Sequence, residues 1–184
     1  MNKTSLAILV AASLASSIAL AGQSTVFIGY AQSKIQGFDT INGVNAKYRY
    51  EFDSPLSLIG SFTWMQGNGD DYLKTTYIAA YDEVTVKYYS VLAGPAYRFN
   101  DYVSLYAVLG AARLKADGHS TRYTASGTSR SDISGKSTSF AWGAGLMMNP
   151  SDHFSVSVGY EGTEANIYDN QSVNGFNVGL GYRF

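Results

Sequence analysis

Large apolar residues alternate with small or polar ones along the end of the chain. Phe176, Val178, Leu180, Tyr182 and Phe184 share one face, and Asn177, Gly179, Gly181 and Arg183 share the other. A period of two marks an extended strand between two unlike environments. The pattern recurs through 154–161, 140–148, 103–110, 89–99, 56–64 and 44–52, and less cleanly through Ser24 to Lys34, where Val26, Ile28 and Tyr30 take the apolar face. Eight such segments predict eight strands. The composition agrees: 15 Tyr and 19 Gly with only 3 Pro favour β-structure.

The chain has 184 residues, room for one domain, and a formal net charge of −1, which argues against a nucleic-acid partner. With no cysteine there is no disulfide framework, thiolate zinc site or cysteine nucleophile, and two histidines, His119 and His153, make a poor basis for a metal centre. Residues 1–21 read as a cleaved secretory leader: Lys3 gives the basic start, Leu6 to Ile18 the apolar core, and Ala19-Leu20-Ala21 the small-x-small cleavage signal. The domain would then be 22–184. Beyond the leader the longest apolar run, Phe140 to Met148, has nine residues, whereas a membrane helix needs about 20. An exported soluble protein and an outer-membrane β-barrel remain.

The distribution of side chains chooses the barrel. A soluble barrel turns its apolar face inward, but eight strands enclose little space. Here the apolar face carries the bulky residues and the other carries Gly, Ser, Asn and charge. Lipid suits the first and a narrow lumen the second. Short turns at 53–55, 100–101 and 149–152 alternate with long loops near 35–43, 67–83, 116–136 and 163–174, the asymmetry of an outer-membrane barrel with short periplasmic turns and long extracellular loops. Tyr50, Phe52, Tyr97, Phe99, Phe154, Tyr182 and Phe184 would form a lower aromatic girdle, and Trp64, Tyr89, Trp142, Tyr160 and Phe176 an upper one. Lys47, Arg49, Glu51, Arg98, Glu161 and Arg183 fall on the inner face. Their opposite charges can pair and plug the lumen; a proton or ion path is the competing reading.

The segments Lys47-Tyr48-Arg49-Tyr50-Glu51, Ser54-Pro55-Leu56, Ile59-Gly60-Ser61-Phe62-Thr63, Ala93-Gly94-Pro95-Ala96-Tyr97-Arg98, Gly143-Ala144-Gly145-Leu146, Asn149-Pro150, Tyr160-Glu161 and Gly179 to Phe184 resemble, in order, those of the OmpX/Ail/PagC/Lom family of small enterobacterial outer-membrane proteins. The likeness lies on strands and turns, and the loops depart from it. It implies a monomeric eight-stranded barrel without enzymatic activity or cofactor. The family's roles are adhesion to host cells, invasion and serum resistance, with host matrix glycoproteins or complement regulators as partners. Leu180, Tyr182 and Phe184 resemble the C-terminal signal read by the barrel assembly machinery.

Function then lies in loops and rim. The segment 67–83 carries a net charge of −3 and Tyr72, Lys74, Tyr77, Ile78 and Tyr81, a composition suited to a binding surface; the plainer reading is an extended rim or protruding strand pair. The segment 116–136, with Arg122 and Arg130, carries +1, which suits a weak contact with an anionic glycan, or a solvated tip. Its opposite charge also allows the two segments to hold together. Lys87, Arg113 and Lys115 would point outward at the extracellular ends of strands four and five, where they can meet lipopolysaccharide phosphates or merely snorkel. No spacing supports catalysis: His119-Ser120 lacks a third member, Asp70-Asp71 and Asp82-Glu83 read as loop charges, and the glycines follow strand alternation.

Overall fold

The computed structural model describes residues 22–36, 40–75, 78–124, 127–166 and 170–184, with the backbone alone described for 69–75, 78–83, 119–124, 127–133, 165–166 and 170–171. The expected leader, 1–21, lies outside the described residues. Eight strands follow in chain order: β1 (Gln23–Ile35), β2 (Thr40–Glu51), β3 (Leu56–Thr75), β4 (Ile78–Arg98), β5 (Val103–Thr124), β6 (Gly127–Met148), β7 (Phe154–Asn166) and β8 (Asn170–Arg183). Each pairs antiparallel with its neighbours, and β1 pairs with β8 to close the barrel. Closure leaves no open sheet edge along the wall, and the β4–β5 ladder is interrupted only at Gly94 and Pro95, where proline has no N–H to donate.

The alternation sorts as lipid requires. Ile28 is 70% exposed, Val91 64% and Leu109 59%, while Arg49 is 0% exposed. This barrel is apolar outside and turns the charged Lys47, Arg49, Glu51 and Glu161 inside. Rings pack along the lower girdle, Tyr50 with Phe52 at 5.1 Å and Tyr97 with Phe99 at 5.3 Å edge to face, and Tyr182 with Phe184 stacked at 6.4 Å between centroids. In the upper girdle Trp64 lies opposite Tyr89 in the register, and Trp142 sits 6.0 Å from Tyr160. The periplasmic turns close by side-chain capping. Asn100 Oδ1 accepts from the amides of Tyr102 and Val103 at 2.9 and 2.7 Å, and Ser155 Oγ donates to Asn149 Oδ1 at 2.8 Å.

Two expectations change. The segments 67–83 and 116–136 are not loops over most of their length. β3 and β4 continue to the pair Thr75↔Ile78, and β5 and β6 to Thr124↔Gly127. Thr and Tyr favour strands, and hairpin pairing extends a ladder already begun. The two segments are joined by the β4–β5 backbone ladder itself, up to Ala79↔Tyr123, so no charge attraction is needed to hold them together. Second, the lumen is not wholly small and polar. Ile35, Ile41, Met65, Val86, Leu114 and Val173 are buried toward the extracellular end, and Phe27, Ile59, Leu92, Val108 and Met147 lower down. Neighbouring glycines make the room. A Cβ at Gly181 would meet the Phe27 ring, and one at Gly159 would overlap the Tyr106 hydroxyl.

Candidate functional site

The six predicted lumen charges all point inward but form two clusters. At the periplasmic end Glu51 is a hub. Its Oε2 accepts from Arg183 Nη2 at 3.0 Å and Arg98 Nη1 at 3.4 Å, and its Oε1 faces Arg49 Nη1 at 3.6 Å. Arg49 also donates to Ser57 Oγ and, at 3.0 Å, to Ser104 Oγ, while Arg183 donates to Gln23 Oε1. Higher up, Glu161 accepts from Tyr88 Oη at 2.6 Å and Thr63 Oγ1 at 3.0 Å. Lys47 donates to Asn177 Oδ1 at 2.6 Å and lies 5.8 Å from the centre of the Tyr106 ring. These contacts, and the apolar layer above them, lie within the barrel's bore.

Sequence reasoning missed Tyr88, Tyr106, Asn45, Thr63 and Asn177 as members of this network. Their parity places them inside, yet tyrosine reads first as a girdle residue. Asn45 Nδ2 donates to Ser61 Oγ and Thr63 Oγ1 at 3.0 and 2.9 Å, which steadies the second Glu161 donor.

On the outer wall the register builds a cationic row. Gln32, Asn42, Gln66, Lys87, Lys115 and Lys136 are successive partners across β1 to β6, three amides followed by three lysines. One step toward the membrane runs the row Tyr30, Val44, Trp64, Tyr89, Arg113 and Thr138. Lys87 thus stands one outward position above Tyr89 of the upper girdle, with Lys115 opposite it and Arg113 opposite Tyr89, while Lys136 lies six residues beyond Trp142 on β6. Lys87 and Lys115 are half-buried, whereas Arg113 and Lys136 are exposed. Lys115 Nζ lies 5.8 Å from the centre of the Tyr89 ring. No hydrogen bond or ion pair joins Lys87, Arg113 or Lys136 to a described residue. Lys136 ends the segment 116–136, and the register brings it into this row.

Above that row β3 to β6 outrun the barrel. β2 meets β3 only up to Asn42↔Gln66, and β7 meets β6 only up to Ala141↔Thr163. Nine residues of β3 from Gly67 to Thr75, and 14 of β6 from Gly127 to Phe140, therefore lack a ladder partner on that side among the described residues. At about 3.3 Å per residue the four-stranded sheet continues for roughly 30 Å along the strands. Tyr72 pairs with Tyr81, Lys74 with Ala79, Ile78 with Thr75, Arg122 with Ala80 and Arg130 with Thr121. The register also sets Tyr81 beside Thr121, so Tyr72, Tyr81, Thr121 and Arg130 form one row. Side chains at these positions, and Tyr77 entirely, lie outside the described residues. At the other end Leu180, Tyr182 and Phe184 all face lipid. Among the described residues no group of three His, Cys, Asp or Glu is placed to hold a metal ion.

A closed eight-stranded barrel with an apolar wall between aromatic girdles, a polar bore and long hairpins at one end is a transmembrane protein of the bacterial outer membrane. The chain belongs to the enterobacterial Ail/Lom family, whose model matches residues 2–184. It is 43% identical over 169 residues to the virulence membrane protein PagC of Salmonella typhimurium, covering 91% of this chain and 90% of the relative. Against outer membrane protein X of Escherichia coli it is 37% identical over 167 residues, covering 90% and 88%. The crystal structure of Ail, the attachment invasion locus protein of Yersinia pestis, in complex with the heparin analogue sucrose octasulfate, superposes with a TM-score of 0.69 at 36% identity, covering 90% of this chain and 100% of that one. The family and fold are those of non-enzymatic outer-membrane barrels.

Proposed function

We propose that this protein is a surface adhesin of the attachment, invasion and serum-resistance type, binding host matrix or complement-regulatory proteins through its extracellular hairpins. The observation that carries this reading is the four-stranded sheet that rises beyond the barrel with the β3 and β6 ladders open on their outer sides. An exposed strand edge offers main-chain donors and acceptors to an incoming strand, and flanking side chains select it. The row Tyr72, Tyr81, Thr121 and Arg130 supplies aromatic area and a cation. The complex of the Yersinia pestis relative with a heparin analogue supports sulfated glycans as one ligand class. The chain acts as a monomer, without cofactor or catalysis, after loss of residues 1–21. Leu180, Tyr182 and Phe184 serve as its assembly signal.

The test displays the protein on a non-adherent bacterium at verified surface density. Binding to matrix glycoproteins, complement regulators and heparin is compared with a variant whose hairpins are shortened within 69–83 and 119–133. Saturable binding lost on shortening supports the reading, and Tyr72→Ala with Tyr77→Ala and Tyr81→Ala should weaken it. Equal binding by the shortened form would refute it.

The lysine row favours a second reading, an envelope role through lipopolysaccharide. Three lysines in cross-strand register repel one another, and they stand where outer-leaflet phosphates begin. Phosphate would complete the contacts of Lys87, Lys115, Lys136 and Arg113. Lipopolysaccharide should then raise the unfolding midpoint of the detergent-solubilised barrel, and dephosphorylated lipopolysaccharide should not. An equal rise with both would remove this reading.

A further inference from the structure

The periplasmic mouth of the barrel holds more positive charge than its partners balance. Arg49, Arg98 and Arg183 converge on one carboxylate, Glu51, at 3.6, 3.4 and 3.0 Å, a local excess of two positive charges. The other ionisable groups at this end do not balance it. Asp53, Asp101, Asp152 and His153 are exposed in the turns and pair with none of the three arginines. The C-terminal residue lies at this end too, where a Phe184 oxygen accepts from the Ser24 amide at 2.9 Å, but its carboxylate makes no ion pair with the three arginines.

The donors are not exhausted either. Arg183 Nε and Arg49 Nη1 are buried without a hydrogen-bond acceptor, although Arg49 is fully buried. Glu51 Oε1, itself buried without a hydrogen-bond partner, pairs with Arg49 Nη1 at 3.6 Å, an ion-pair contact beyond hydrogen-bond distance, whereas Arg183 Nε has no acceptor. Uncompensated charge beside a low-dielectric wall is costly, and the guanidinium fork matches small oxyanions. The cluster is reachable from the periplasm, because the Arg98 side chain is 30% and the Arg183 side chain 12% exposed. Toward the outside Tyr106, Tyr88 and the apolar layer above them are buried in the bore.

We propose that the periplasmic mouth, formed by Arg49, Arg98 and Arg183 around Glu51, is a binding site for one small inorganic anion, phosphate or chloride, taken up from the periplasm. The anion supplies the missing negative charge and accepts from the unsatisfied guanidinium N–H groups. It locks β2, β4 and β8 together at the end of the barrel where β1 begins and β8 ends. The site lies at the end opposite the hairpins and is independent of adhesion.

The test uses the folded barrel in detergent micelles at constant ionic strength, set with a bulky sulfonate anion. Phosphate and chloride are titrated separately. The heat-unfolding midpoint, read as loss of the compact gel form, should rise saturably with one of them, and that anion is the ligand. A phosphorus or chlorine resonance should broaden over the same range. Arg98→Gln, at the partly exposed position, should weaken the apparent affinity at least tenfold while leaving the barrel folded. Glu51→Gln removes the competing carboxylate and should tighten it at least tenfold; a purely structural Glu51 would leave the anion dependence unmoved. The proposal is overturned if neither anion gives a saturable rise, if the sulfonate matches them, or if Arg98→Gln leaves the affinity unchanged. Should Glu51→Gln fail to fold, the Arg98→Gln arm decides alone.

Discussion

Tyr88 on β4 donates a 2.6 Å hydrogen bond across the bore to Glu161 on β7, strands that are not neighbours in the sheet. It is thus a strut between opposite walls, and it terminates on a charge. Removing a hydrogen bond to a buried charged group costs about 1.5–3 kcal/mol. Tyr88→Phe keeps the ring and leaves Thr63 as the remaining donor to Glu161. The expected result is a folded barrel whose unfolding free energy in urea falls by about 1.5–3 kcal/mol. An unchanged midpoint would mean that water replaces the hydroxyl at no loss.

The lysine row gives a prediction whose sign depends on the surroundings. Lys115 stands between Lys87 and Lys136 in the register. Lys115→Glu would turn two repulsive cross-strand neighbours into attractive ones, at roughly 0.2–1 kcal/mol each. In zwitterionic detergent the variant should therefore be more stable than the wild type. In lipopolysaccharide the order should reverse, because phosphate now meets a carboxylate. Parallel unfolding titrations in the two media check both halves.

How far the sequence reveals this molecule follows from where the constraints act. Lipid acts on each outward position separately, so the parity of Phe176 to Phe184 could be read directly, and with it the barrel. The bore acts on sets of residues brought together by closure. Lys47 and Asn177 are partners 130 positions apart, and no local pattern joins them. Tyr88 and Tyr106 carry the parity of lumen residues, but their aromatic rings suit either face. The extracellular hairpins read as loops in the sequence because Ser, Thr and Gly serve loops and exposed strands alike, and a loop gives Lys136 no cross-strand partner. Once β5 and β6 run to Thr124 and Gly127, counting back along the hairpin sets Lys136 opposite Lys115.

The lipid-facing wall should show a depth gradient. Ile28 sits midway along β1, opposite Ala46 and Leu180, and is 70% exposed. Gln32 lies further toward the extracellular end, in the same ladder row as the lysines. An arginine at the bilayer midplane of such a barrel costs about 2–4 kcal/mol, and near the interface about 0–1. Ile28→Arg should lower the folding free energy into phospholipid vesicles by the larger amount and Gln32→Arg by the smaller. Equal losses at both positions would contradict the assigned membrane boundaries.

Gly159 and Tyr106 should prove energetically coupled. Both lie on the inner face, and the Tyr106 hydroxyl occupies the space that a Cβ at residue 159 would fill. Tyr106 cannot retreat easily, since Gly145 approaches the same hydroxyl and Lys47 lies against the ring. Gly159→Ala should therefore destabilise the barrel by about 1–3 kcal/mol, the usual cost of overpacking. Tyr106→Phe removes the oxygen and leaves Cζ at 3.2 Å and Asn177 Oδ1 at 2.9 Å from the added methyl, so relief is partial. The double variant should recover about 1 kcal/mol relative to the sum of the single effects, within the range seen for contacting pairs. A double-mutant cycle by urea unfolding in detergent measures this. Strict additivity would show that the bore relaxes around the methyl by moving the backbone of β7 instead of the tyrosine.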